Sequence, residues 1–172
     1  MTKEAPSKPE KTFDLVMFAE HYQFYVYDAN ADIGELSVFW DEDSRENMVL
    51  LGSTIVGVGT ARHLDVPIEL EIYKEEPKTE SLDDYDQVAR CSLEVPTGTI
   101  MISGATEDIY EAQTFDVEPG IYGMRIYYGG LSLIDEEGFE GEDFYKIAVW
   151  PTDKPPVFEI LKLAQEKPKH MY

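Results

Sequence analysis

Apolar side chains recur at every second position through most of this chain. In residues 121–128, Tyr122, Met124, Ile126 and Tyr128 fall on one face of an extended segment, while Gly123, Arg125 and Tyr127 fall on the other. Residues 144–150 repeat the pattern, with Tyr145, Ile147 and Val149 opposite Phe144, Lys146, Ala148 and Trp150. A period of two belongs to strands, because successive Cβ atoms leave opposite sides of a pleated ribbon. Pro119-Gly120 supplies turn chemistry before the first strand, and Pro151, with no N–H to give a ladder, ends the second. The connection between them is longer than most hairpin loops and crowded with carboxylates.

The rest of the chain follows the same rule. Residues 13–20 read as a first strand or a lead-in to one. In 22–27, Tyr22, Phe24 and Val26 alternate with Gln23, Tyr25 and Tyr27, which predicts a strand with outward tyrosines. Residues 36–40 form another strand, and 48–60 a single strand bent or bulged at Gly52 or Gly57. In 66–72, Val66, Ile68, Leu70 and Ile72 point inward while Pro67, Glu69 and Glu71 face water, as in a protected edge strand. Residues 89–95 and 99–103 pair as a hairpin through Pro96-Thr97-Gly98, residues 112–117 add a strand, and 157–164 are a strand or a short helical turn. Segments 28–35, 41–43 and 74–86 are polar turns and loops. With no long amphipathic helix, about nine or ten short strands predict an all-β fold, an antiparallel β-sandwich. One domain over 13–163 lies between flexible tails at 1–12 and 164–172.

Charge changes the picture more than length does. The 172 residues carry a net charge of -21 while 43% are hydrophobic, so the acids must clothe a folded body. A field of that sign repels nucleic acid and anionic membrane and attracts basic proteins. No apolar run is long enough to span a bilayer, and the polar opening of the sequence lacks a secretory apolar region; a cytoplasmic protein is expected. Cys91 lies in an apolar alternation and reads as a small buried hydrophobe.

Reaction chemistry finds little support. Asp28, Asn30 and Asp32 begin the calcium-loop spacing, but Gly34 and Phe39 stand where the motif needs glycine one place earlier and a glutamate. His21, His63 and His170 have no metal-ligand spacing to one another or to Cys91, Gly52-Ser53 is not a nucleophile elbow, and no phosphate loop exists. No cofactor is expected. What stands out is the distribution of acids. Asp135, Glu136, Glu137, Glu140, Glu142 and Asp143 crowd a stretch without a base, and Asp41, Glu42 and Asp43 form a second cluster. Aromatic neighbours such as Tyr25, Tyr27, Phe139 and Trp150 add the anchors that protein interfaces use, although solvated loops account for either cluster alone.

Two pieces of the chain resemble the competence protein J family, small inhibitors of a competence-associated nuclease. Residues 21–27, HYQFYVY, are similar to the opening strand of that family with histidine and tyrosine in the opposite order. Phe115-Asp116-Val117 with Gly120-Ile121-Tyr122, then Asp143 to Ile147, are similar to its last two strands. The resemblance implies an inhibitor or immunity-type protein. It joins the charge in predicting a non-enzymatic protein that binds a basic partner, most concretely a nuclease, through Asp135, Glu136, Glu137, Glu140, Glu142 and Asp143, with Asp41, Glu42, Asp43, Tyr25 and Tyr27 in support. Two rival readings are a module that binds a small ligand such as a carbohydrate using Trp40, Trp150 or exposed tyrosines, with or without calcium at Asp28 to Asp32, and a hydrolase with His21 or His63 beside a carboxylate.

Overall fold

The structure, a computed structural model, describes residues 7–32, 40–78, 81–105, 112–166 and 168. In chain order the described elements are β1 (Lys11–Phe18), β2 (Gln23–Asp28), α1 (Glu42–Asn47), β3 (Val49–Leu51), β4 (Ile55–Gly59), β5 (Asp65–Ile72), β6 (Gln87–Val95), β7 (Thr99–Gly104), β8 (Gln113–Asp116), β9 (Gly120–Gly129), β10 (Phe144–Pro151) and β11 (Glu159–Lys162). A single 3-10 turn, Glu20–Tyr22, leads into β2. The strands form a six-stranded sheet in the order β1-β5-β10-β9-β6-β11 and a five-stranded sheet in the order β3-β4-β2-β7-β8.

The protein is all-β, as its alternation predicts, with corrections to the count and the pairing. Eleven strands are described where nine or ten were expected, and β10 runs parallel to β5, so the fold is not purely antiparallel. Residues 48–60 form two strands, β3 and β4, paired antiparallel across the turn at Gly52. The expected hairpin of 89–95 with 99–103 does not form: β6 belongs to one sheet and β7 to the other, and the turn at Gly98, with φ +76°, carries the chain between them. Nor is β5 an edge. It lies between β1 and β10, and Pro67 is tolerated because the ladder to β10 begins one residue later, at Ile68. The acidic turn at Asp41 opens a helix instead, capped by the Asp41 carboxylate accepting from the Ser44 N–H (2.8 Å) and, reciprocally, by the Asp41 N–H donating to the Ser44 hydroxyl (3.0 Å). Residues 159–162, left open between strand and helix, are strand β11. The strand expected at 36–40 falls outside the described residues except for Trp40.

Inner faces of both sheets meet in one core. Phe24 and Val26 of β2, Val56 and Val58 of β4, and Ile100 and Ile102 of β7 pack with Leu70 of β5, Cys91 and Leu93 of β6, Met124 and Ile126 of β9, and Ile147 and Val149 of β10. Cys91 is buried there as expected, and burial pushes its thiol up to about 12. Part of each outer face is covered as well, which the alternation did not foretell. On the six-stranded sheet, Tyr127, Ala148, Trp150 and Val88 form a second apolar cluster roofed by Leu82 and Tyr85 from the polar loop. Two aromatics there lie over glycines on the neighbouring strand, Trp150 opposite Gly123 and Phe144 opposite Gly129, where any side chain would collide with the ring. On the five-stranded sheet a third cluster gathers Tyr25, Tyr27, Leu50, Ile55 and Met101 beneath Trp40.

Candidate functional site: an acidic end with an aromatic patch

The longer acidic segment stands on a frame of its own. The connection from β9 to β10 is a small hairpin of its own, with Asp135 N–H donating to Glu140 O (2.8 Å), Glu142 N–H donating to Leu133 O (2.9 Å), and Gly138 at φ +77° turning the tip. Asp135 holds that tip together, because its carboxylate accepts from the Phe139 N–H at 2.9 Å. Some lost hydration pushes its pKa up, but the backbone N–H groups of Phe139, Glu140, Gly138 and Glu137 outweigh this and hold the carboxyl below its usual range. Glu136, Glu137, Glu140 and Glu142 are exposed and project from this frame.

Asp143 does not. It is 1% exposed, 2.8 Å from the Arg62 guanidinium, and it accepts a hydrogen bond from the Tyr145 hydroxyl at 2.6 Å. It is the foot of the loop rather than part of its surface. Tyr145 in turn packs edge-on against Tyr128 (centroids 5.9 Å apart), and the Tyr128 hydroxyl donates to Met48 O at the end of α1. Burial raises both phenols well above their ordinary value, so they serve as neutral donors. This chain of contacts links the C-terminal end of α1 to the foot of the loop, while Asp41, Glu42 and Asp43 are exposed at the opposite end of that helix. Asp41 is itself engaged in capping, and its hydrogen bonds from Ser44 hold its carboxyl below the usual range.

Tyr25 and Tyr27, expected to point outward into solvent, do leave the core side of β2 but are 0% and 1% exposed. Tyr25 donates to Gln23 and accepts from the Trp40 indole at 3.0 Å, and Tyr27 is 2.8 Å from the Ser103 hydroxyl. Trp150 is 2% exposed, so it presents no platform to a sugar. The Asp28 carboxylate, first of the calcium-like triplet, is taken up by the Asn30 N–H and by the Thr97 N–H and hydroxyl, which pin the turn between β6 and β7.

What sequence reasoning missed is an aromatic and histidine patch beside the acidic loop. His63 lies within 5.2–6.5 Å, centroid to centroid, of Tyr22, His21, Phe139 and Phe18. Its Nδ1 accepts from the His21 N–H at 2.9 Å, and its own N–H donates to Gly138 O, which docks the acidic loop onto the patch. His21 and Tyr22 both hold positive φ (59° and 63°), a conformation costly for residues with a Cβ. Phe139 is 41% exposed at the loop tip, so an apolar anchor stands among the carboxylates. A signal existed: His21, Tyr22 and Phe139 were each in view, but the partner Phe18-to-His63 pairing needs the β1–β5 register, which brings Phe18 opposite Asp65.

No family model matches the chain, and no curated protein matches its sequence. Solved structures do match. ComJ from Bacillus subtilis, described as an inhibitor of the DNA degrading activity of NucA, superposes with a TM-score of 0.60 over 86% of this chain and 100% of its own, at 15% identity. The chain is similar in fold to ComJ. A second structure, described as crocagin biosynthetic gene J, matches with a TM-score of 0.53 over 82% of this chain and 97% of its own, at 13% identity. The segments that resemble the competence protein J family fall on β2, on β8 with the start of β9, and on β10. The likeness to ComJ therefore runs through both sheets.

Proposed function

We propose that this protein is a non-enzymatic inhibitor that neutralises a basic protein, a nuclease in its most concrete form, by presenting the acidic end as a docking face. The observation that carries this reading is the β9–β10 loop itself, whose exposed carboxylates flank an exposed apolar anchor at Phe139, with the C-terminal end of α1 linked to the foot of that loop. Carboxylates ringing an aromatic anchor provide steering and affinity together. The fold supports the same reading, since ComJ inhibits the DNA degrading activity of NucA. Glu136, Glu137, Glu140 and Glu142 would stand where a nuclease receives phosphates, with Glu42 and Asp43 flanking.

The test is affinity capture from native lysate at low salt, followed by a DNA degradation assay on the captured basic protein with and without this chain. Inhibition that weakens with added salt supports the reading, because such steering is screened over about 10 Å at moderate ionic strength. Absence of any basic partner at low salt would sink it.

A further inference from the structure

A second recognition element lies on the outer face of the six-stranded sheet. Where β1, β5 and β10 lie side by side, a groove of about 550 Å³ opens, lined among others by Asp14, Val16, Glu69, Tyr85, Phe144 and Lys146. Its walls are apolar and partly bare: Val16 is 68% exposed and Phe144 39%. Its floor is out of electrostatic balance. Asp14 sits directly across the β1–β5 ladder from Glu69, a like-charge pair that a sheet disfavours. Lys146 is registered opposite Glu69 on the other side, yet its ammonium goes to Glu71, at 3.0 Å, and stacks over the Tyr127 and Tyr85 rings. Glu69 is left between two carboxylates, Asp14 across the ladder and Glu71, to which it hydrogen-bonds, and feels Lys146 without an ion pair to it. Burial, then Glu71 and Asp14, push its pKa up against the pull of Lys146.

We propose that this groove receives an arginine side chain of a basic partner protein, its guanidinium on Glu69 and Asp14 and its aliphatic stem along Val16 and Phe144. Charge complementarity selects a cation, two carboxylates on adjacent strands suit the planar multi-donor fork of arginine, and the Tyr85 and Phe144 rings offer faces on which it stacks. The like-charge pair that weakens the free sheet becomes favourable once the guanidinium sits between its members. The inference deepens the proposed function and rests on its claim that the partner is basic.

The experiment titrates acetyl-arginine amide, and its neutral citrulline counterpart, into the isotope-labelled full chain at low salt and follows backbone amide shifts. The expected result is saturable movement at Val16, Glu69 and Lys146 with arginine alone. Glu69→Gln should weaken it about fivefold, as loss of one partly exposed ion pair implies. Because Glu69→Gln also removes the repulsion with Asp14, its melting temperature should not fall, which separates lost recognition from lost folding. Equal shifts with citrulline, shifts unaffected by Glu69→Gln, or shifts confined to residues 136–142 would overturn the proposal. Arginine binding in the groove without capture of any basic protein leaves the groove standing and removes the inhibitor reading, and capture without groove shifts does the reverse.

Discussion

The β9–β10 loop and the outer face of β5 and β10 are both rich in carboxylates, yet they use them in opposite ways. On the loop, Glu136, Glu137, Glu140 and Glu142 stand in water on a frame held by backbone hydrogen bonds and by Asp135. On the sheet, Glu71 is 6% exposed and bound by Lys146 and the Tyr73 hydroxyl, while Glu76 reaches the 4%-exposed Arg125, whose guanidinium also donates to Pro77 O at 2.7 Å. The first set contributes field and little to folding. The second holds a loop down over apolar surface. A tally of acids therefore says nothing about recognition until each is sorted by what surrounds it.

That contrast can be broken most sharply at Asp143, which sits under the loop but behaves like the sheet. Asp143→Ala should cost about 3–5 kcal/mol in urea unfolding, since Arg62 would be left desolvated with no counter-charge. Replacing Arg62 as well by methionine should recover much of that loss, and a double-mutant cycle measures the recovery.

Lys146→Met comes next, at about 2 kcal/mol near neutral pH. Burial raises the Glu71 pKa, but the Tyr73 hydroxyl and Lys146 overcome it and hold the carboxyl below its ordinary value. A carboxylate depressed in the folded state stabilises above its unfolded value of about 4.3, and that contribution is lost as pH falls through the folded value. For Lys146 burial works against the charge, while Glu71 and Tyr85 raise its pKa, so its contribution is present below the unfolded value of about 10.4 and is lost as pH rises through the folded one. In Lys146→Met the acid limb should reverse, because Glu71, buried without its cation, folds better once protonated. A pH series of thermal melts checks the sign.

The smallest effect on stability should come from Glu136, Glu137 and Glu140 all changed to lysine, which should leave the melting temperature where it is. The same variant should slow association with the captured partner severalfold at low salt and much less at high salt, as stopped-flow binding would show. A large loss of stability there would erase the distinction between the two regions.

The strands themselves were legible because Tyr122, Met124, Ile126 and Tyr128, or Tyr145, Ile147 and Val149, alternate so regularly. The second layer was not. Arg125 and Tyr127 occupy the polar side of that alternation and so read as solvent-facing, but the loop whose composition looks wholly polar covers them, Leu82 and Tyr85 packing at Tyr127 and Glu76 and Pro77 binding Arg125. Tyr25 and Tyr27 mislead for the same reason, with Trp40 over them. Asp143 reads as one more loop acid because its cation, Arg62, is far away in sequence. Pairing between sheets has no local signature either: Val95 and Ile100 face one shared core from different sheets, and a short turn between alternating segments looks like a hairpin.

The one parallel ladder among the described residues bears on how the polypeptide reaches this state. β1 and β5 join the six-stranded sheet only through β10, so Ile68 must wait for Tyr145 before its outer neighbour exists. During synthesis the N-terminal hairpin-like pair emerges with a bare flank, and ribosomes adding roughly 5–20 residues per second leave it so for several seconds. Pairings that span such long loops form late and slowly. The nascent chain is therefore most exposed to wrong partners at β5, whose proline and glutamates guard a flank that is open only until the chain is complete.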